Sequence, residues 1–114
     1  MTPASFRRIA LSLEGATEGA HGGHADFRAG GKVFASLGYP GKEWGMVKLA
    51  PDQQKMLVAA EPRIFVAVKG TWGQRGATSV QLAEVDARTV RSALTMALRN
   101  VTAPKPKKAR RAAA

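Results

Sequence analysis

The chain has 114 residues, 18 lysines and arginines against 8 acids, a formal net charge of +10 and no cysteine. That length predicts one domain, able to bury roughly 60–70% of its unfolded surface without a staple, and the lack of cysteine excludes disulfide frameworks, thiolate metal sites and cysteine nucleophiles while fitting a reducing compartment. No apolar run approaches the roughly 18 residues of a spanning helix, and Arg7 and Arg8 interrupt any apolar leader, so the sequence reads as cytoplasmic with no membrane partner.

The first predicted element is a helix. Phe6, Ile9, Ala10 and Leu13 recur at helical spacing, Thr2 is placed to cap them, Pro3 suits the first helical position, and Gly15 ends the run. Residues 16–25 read as a loop marked by Gly19, Gly22 and Gly23. Strands follow over 26–29 and 32–37, joined by Gly30 and Gly31, a pair that tolerates the positive φ of a two-residue hairpin loop. Tyr39, Pro40, Gly41 and Lys42 suit a type II turn into a third strand over 44–49.

A second helix is expected to start at Pro51, carry Asp52 in its first turn, bury Met56, Leu57 and Ala60, and stop at Pro62. Strands over 65–68 and 78–82 then flank a loop at 69–77. The last helix is capped by Asp86. Its apolar stripe is Val90, Ala93, Leu94, Ala97, Leu98 and Val101, and Arg88, Arg91, Thr95 and Arg99 form a basic outer face. The order α-β-β-β-α-β-β-α predicts an α+β domain over residues 2–101, with helices covering an antiparallel sheet.

Beyond it, Lys105, Lys107, Lys108, Arg110 and Arg111 give residues 105–114 a charge of +5 with no acid, as much as the 13 bases and 8 acids of residues 1–104 leave over. Residues 103–114 therefore read as a disordered basic tail. A prolyl, alanyl and cationic run buries too little apolar surface to offset the entropy of ordering, and it seeks a polyanion.

Four blocks in order carry a family resemblance: Leu13 to Glu18 followed by His21, Lys32 to Ala35, Val47 to Leu49, and Trp72 to Thr78. The chain resembles the MmcQ/YjbR family over about residues 2–101. It departs from the family pattern at Glu14, where proline is usual, and the basic tail is not a family feature. The resemblance implies a fold similar to frataxin-type domains and to the double-wing DNA-binding domain of a phage transcription activator, with no catalytic residues to carry over. DNA binding follows from it by analogy of shape.

Three groups of residues are candidates for chemistry. His21 and His24, beside Glu18 and Asp26, are weighed as metal ligands. A glycine-rich loop does not enforce that geometry, and the structural reading, with His21 as a polar anchor of the loop on the sheet, is preferred, so no metal or other cofactor is expected. Trp72-Gly73-Gln74-Arg75-Gly76 places an aromatic and a cation between glycines that let backbone approach a ligand. There Arg75 reads as free, whereas Trp72 reads as structural, with its ring under the first helix. Trp44 reads as core. Lys32, Lys48 and Lys69 read as solvated strand positions, and Lys48, alternating with Met46, also suits a shared concave face.

Two functions compete, neither of them enzymatic. The first is a DNA-binding module, with DNA ahead of RNA, that contacts the phosphate backbone through Lys48, Arg75 and the tail cations Lys105, Lys107, Lys108, Arg110 and Arg111, without a motif for reading bases. The second is a small-molecule or protein-interaction domain whose concave face holds an anion. A basic face spanning Arg75, Lys48, Lys69, Arg88, Arg91 and Arg99 favours the first, and a deep pocket around His21, Lys48 and Trp72 favours the second.

Overall fold

The computed structural model describes residues 1–103, which fold as α1 (Pro3–Ser12), β1 (Thr17–His21), β2 (His24–Ala29), β3 (Lys32–Leu37), β4 (Trp44–Lys48), α2 (Pro51–Ala60), β5 (Phe65–Ala67), α3 (Thr71–Gln74), β6 (Ala77–Gln81) and α4 (Ala87–Thr102). The tail expected over 103–114 lies outside the described residues apart from Ala103. The six strands make one antiparallel sheet in the order β1-β2-β3-β4-β6-β5. The α+β class stands, and two elements join the expected order: β1 occupies residues read as loop, and α3 is a single helical turn within the stretch 69–77.

The helix ends follow their capping residues. Thr2 Oγ1 accepts from the Ser5 amide at 3.1 Å with Pro3 opening α1, and Asp86 Oδ1 accepts from the Thr89 amide at 2.8 Å at the start of α4. Hydrogen bonding from Thr89 holds the Asp86 carboxyl below the usual carboxylate range. A carboxyl depressed in the folded state contributes stability above its unfolded value and loses it as pH falls through the folded value. Asp86→Asn keeps a capping oxygen without a titration, so we expect it to leave the melting temperature at pH 7 nearly unchanged and to shallow its decline in acid. Thermal melts of both proteins from neutral pH into acid check this, and parallel acid limbs would remove Asp86 from the account.

The two-residue turns of the β1–β2 and β2–β3 hairpins are Gly-Gly pairs with left-handed backbone, Gly22 and Gly23 at φ 58° and 83° and Gly30 and Gly31 at 60° and 80°, the twist that matches a two-residue connection. The type II turn expected at 39–42 does not form. Tyr39-Pro40 is cis, and Gly38 (φ 90°) rather than Gly41 takes the left-handed conformation.

Strand alternation sorts side chains onto two faces. Phe27, Val47, Thr78, Val80 and Leu82 turn toward α1 and α4, where they meet Phe6, Ile9, Val90, Ala93, Leu94 and Ala97 in one buried core. Phe6 lies against Gly45, whose missing side chain admits the ring, with Phe27 at 6.1 Å between centroids. A bulge between β2 and β3 pairs Phe27 with Ala35 and Arg28 with Val33. It leaves Phe34 over and sends both Phe34 and Ala35 into the core, each fully buried.

The face of α2 differs from expectation. Met56 is 53% exposed and Ala60 is exposed, whereas Gln54 is buried and Leu57 and Val58 pack at the margin of the core. The inward face is set by Gln54 because its amide Nε2 donates to the carbonyls of Gly73 and Ala77, each at 2.9 Å. Both oxygens also accept from backbone amides, Gly73 from Gly76 and Ala77 from Val68, each at 3.0 Å, so the bonds satisfy the buried Gln54 amide itself and tie α2 to the turn.

Candidate functional site

The other face of the sheet is open between the hairpin tips and the ends of α3 and α4, and its lining is largely apolar surface set with cations. Asp26 and Arg28 on β2, Val33 and Ser36 on β3, Met46 and Lys48 on β4, and Ala77 at the start of β6 line a concavity of about 670 Å³. It runs from His21, His24 and Tyr39 at one end of the strands to Lys48, Lys69, Trp72 and Val101 at the other. A second hollow of about 400 Å³ adjoins it, sharing Lys48, Trp72, Ala77 and Val101 and adding Thr71, Arg75 and Asn100.

The single acid of the larger concavity is already taken. Asp26 is buried and receives two hydrogen bonds from Arg28, at 2.9 and 3.1 Å. That pairing raises the Arg28 guanidinium further above its ordinary value. Gly19, across from Asp26 on β1, leaves the pair its room, since a Cβ there would stand 2.9 Å from Asp26 Oδ1. With that pair neutral, Lys32, Lys48 and Lys69 leave the lining positive.

Lys48 sits where its alternation with Met46 places it, lining both hollows, with its Nζ 5.4 Å from the centre of the Trp72 ring in a cation–π contact. Its backbone carbonyl accepts from Asn100 Nδ2 at 3.2 Å, which ties the end of β4 to the end of α4. Arg75 is exposed and borders the smaller hollow. Lys105, Lys107, Lys108, Arg110 and Arg111 lie outside the described residues.

Trp72 is not under the first helix. It is 63% exposed, because α3 turns Gly73 inward against Val68, where a Cβ would stand 1.5 Å from the Val68 carbonyl oxygen, and its neighbour is turned out. The glycines of this stretch thus serve close approach to the protein's own backbone: Gly73 meets Val68 and Gly76 meets Leu49. Trp44 is half-buried rather than core, since it alternates with Met46 and Lys48 on the open side of β4.

His21 is likewise exposed, so it anchors nothing. It faces His24 across the tip of the β1–β2 hairpin, and His24 Nδ1 lies where a Cβ on Gly38 would come within 2.7 Å. Of the four groups weighed as metal ligands, the two histidines stay together and the two carboxylates are drawn away. Glu18 binds Arg7 at 2.6 Å on the helical side, and Asp26 is held by Arg28. Among the described residues no group of three or more His, Asp or Glu side chains is placed to hold a metal, and no helix is long and apolar enough to cross a membrane.

Arg28 and Gln54 have no place in the sequence reading, and Tyr39 enters it only as a turn residue. Period-two alternation from Asp26 was the available signal for Arg28, whereas neither Tyr39, 58% exposed, nor the internal role of Gln54 had one. Arg88, Arg91 and Arg99 are exposed on α4, across the sheet from the concavity, so the cations do not form one continuous face.

No curated protein matches the chain. The fold is similar to the crystal structure of the Deinococcus radiodurans protein DR2400, a DUF419 domain, with a TM-score of 0.73 over 94% of this chain and 80% of that one, at 17% identity. The family model described as YjbR matches residues 11–99, most of the chain and all four blocks of the resemblance, and the chain belongs to the YjbR family.

Proposed function

We propose that the protein is a cytoplasmic, non-enzymatic nucleic-acid-binding module, with DNA ahead of RNA, that engages the phosphate backbone through the open face of its sheet. Lys48 and Arg75 supply positioned contacts, and the cations of residues 105–114 add affinity. The observation that carries the reading is the lining of the open face: Lys32, Lys48 and Lys69 stand there without a free acid, beside an exposed tryptophan. Cations position a phosphate backbone and an exposed ring is available to a base. The double-wing likeness of the family supports this by analogy of shape alone, and nothing in the lining predicts a preferred sequence.

A second reading is favoured by two observations: Arg88, Arg91 and Arg99 lie across the sheet from the other cations, and one concavity reaches His21, Lys48 and Trp72. A concavity of about 670 Å³ lies within the roughly 300–1,000 Å³ of small-molecule sites, so a compact anion would also fit.

A salt titration of binding to random duplex, single strand and RNA separates the two. We expect log K to fall linearly with log salt, and Arg75→Ala to reduce the slope by about one or less, equally on every sequence. Absence of binding to all three at about 50 mM salt, where electrostatic association is strong, would overturn the nucleic-acid reading in favour of the small anion.

A further inference from the structure

An exposed tryptophan on a loose loop would say little, but Trp72 is held. The next residue, Gly73, is locked against Val68, and the buried amide of Gln54 bonds the carbonyls of Gly73 and Ala77 on either side of the turn. The backbone that carries the ring is thus held, and the ring stands 63% exposed at the wall common to both hollows, with Lys48 5.4 Å from its centre and Arg75 one turn further along the chain. Lys48 covers one face of the ring, so a planar group can lie on the opposite face while an anion joined to it reaches Lys48 or Arg75 around the edge. That is the chemistry of a nucleobase and its phosphate.

A duplex does not offer it, because each base face is covered by its neighbours and only edges and phosphates reach a protein surface, whereas a single strand can turn a base out to stack. We infer that this site takes single-stranded nucleic acid, with one base stacked on Trp72 and the adjoining phosphates on Lys48 and Arg75. The inference rests on the nucleic-acid reading above and narrows it. Stacking on a ring accepts any base, which agrees with the absence of a motif for reading sequence. The larger concavity leads away from Trp72 toward Tyr39, a second exposed ring, and gives the strand a path along the sheet.

The test uses the full chain and a labelled decathymidylate strand, a duplex of equal length and thymidine monophosphate, all at one salt concentration. We expect the single strand to bind more tightly than the duplex. Trp72→Ala should weaken single-strand binding by roughly 5- to 100-fold, Trp72→Phe should recover part of that loss, and neither should move duplex binding. Because the side chain is exposed, both variants should melt within a few degrees of the parent, which keeps the comparison one of binding. In the Trp44→Phe background Trp72 is the sole tryptophan, and its emission should be quenched saturably by the strand.

Duplex binding as tight as single-strand binding, or a Trp72→Ala variant that binds the strand normally, overturns the single-strand inference and leaves the wider reading standing. Binding to neither polymer overturns both. Quenching by the mononucleotide alone replaces both with the small-anion reading.

Discussion

Gly76→Ala is expected to lower the melting temperature by more than about 10 °C. Gly76 has φ 112°, and a Cβ there would stand 1.8 Å from the Leu49 carbonyl oxygen and 2.8 Å from its carbon. Neither atom is free to retreat. The Leu49 amide donates to the Gly76 carbonyl at 3.1 Å, and the buried hydroxyl of Thr78 donates to the same oxygen at 2.8 Å. The left-handed backbone alone costs an alanine on the order of 1–3 kcal/mol, and moving the ends of β4 and β6 apart adds to it. A total of about 3 kcal/mol is a large part of the 5–15 kcal/mol that holds a small domain, at roughly 4–8 °C per kcal/mol. Gly70→Ala is the control: its φ is 79° with nothing within 4 Å of the added carbon, so it registers backbone strain alone. Thermal denaturation followed by circular dichroism compares the two, and equal losses would show that the close approach to Leu49 carries no cost.

The largest effect on binding is expected from removing residues 105–114. Each phosphate contact releases counterion and contributes about −0.9 to the slope of log K against log salt on duplex DNA. Five cations therefore account for up to about 4 units of slope, less where they engage part of the time. Arg75→Ala removes one positioned cation and about one unit at most. Titrating the truncated and full-length proteins from about 50 to 200 mM salt separates the two contributions, and identical slopes would show that the tail takes no part in binding.

What could be read from the sequence follows from how locally each feature is determined. Caps at Thr2 and Asp86, the apolar stripes of α1 and α4 and the Gly30-Gly31 hairpin are written within a few residues, and all are found. β1 was hidden because Thr17–His21 has little strand character; it is a strand because β2 offers it a partner edge, with Gly19 sparing the Asp26–Arg28 pair. The inward face of α2 was missed because adjacent apolar residues leave the helical phase open, and a buried amide serving two distant carbonyls decides it.

At the candidate site, Lys48 was legible through strand alternation. Trp72 was not, because average burial favours a hidden ring while its actual exposure depends on Gly73 meeting Val68. The double role of the wall between the hollows was out of reach for a similar reason, since it joins residues from β4, α3 and α4 that are distant in sequence.

Val101 lines both hollows, and α4 ends one residue later, at Thr102. The eleven residues that follow Ala103 are therefore anchored at the lip of the concavity, and their backbone can span at most roughly 36–40 Å from it. A strand seated as proposed would meet those cations as part of the same molecule, at an effective concentration that reaches the millimolar range for short tethers. Supplied as a separate peptide, the same five charges would have to find the complex by diffusion at whatever concentration was added. With the tail engaged as proposed, its attachment at the end of α4 would make the two contacts one bivalent grip held from the Trp72 end of the groove.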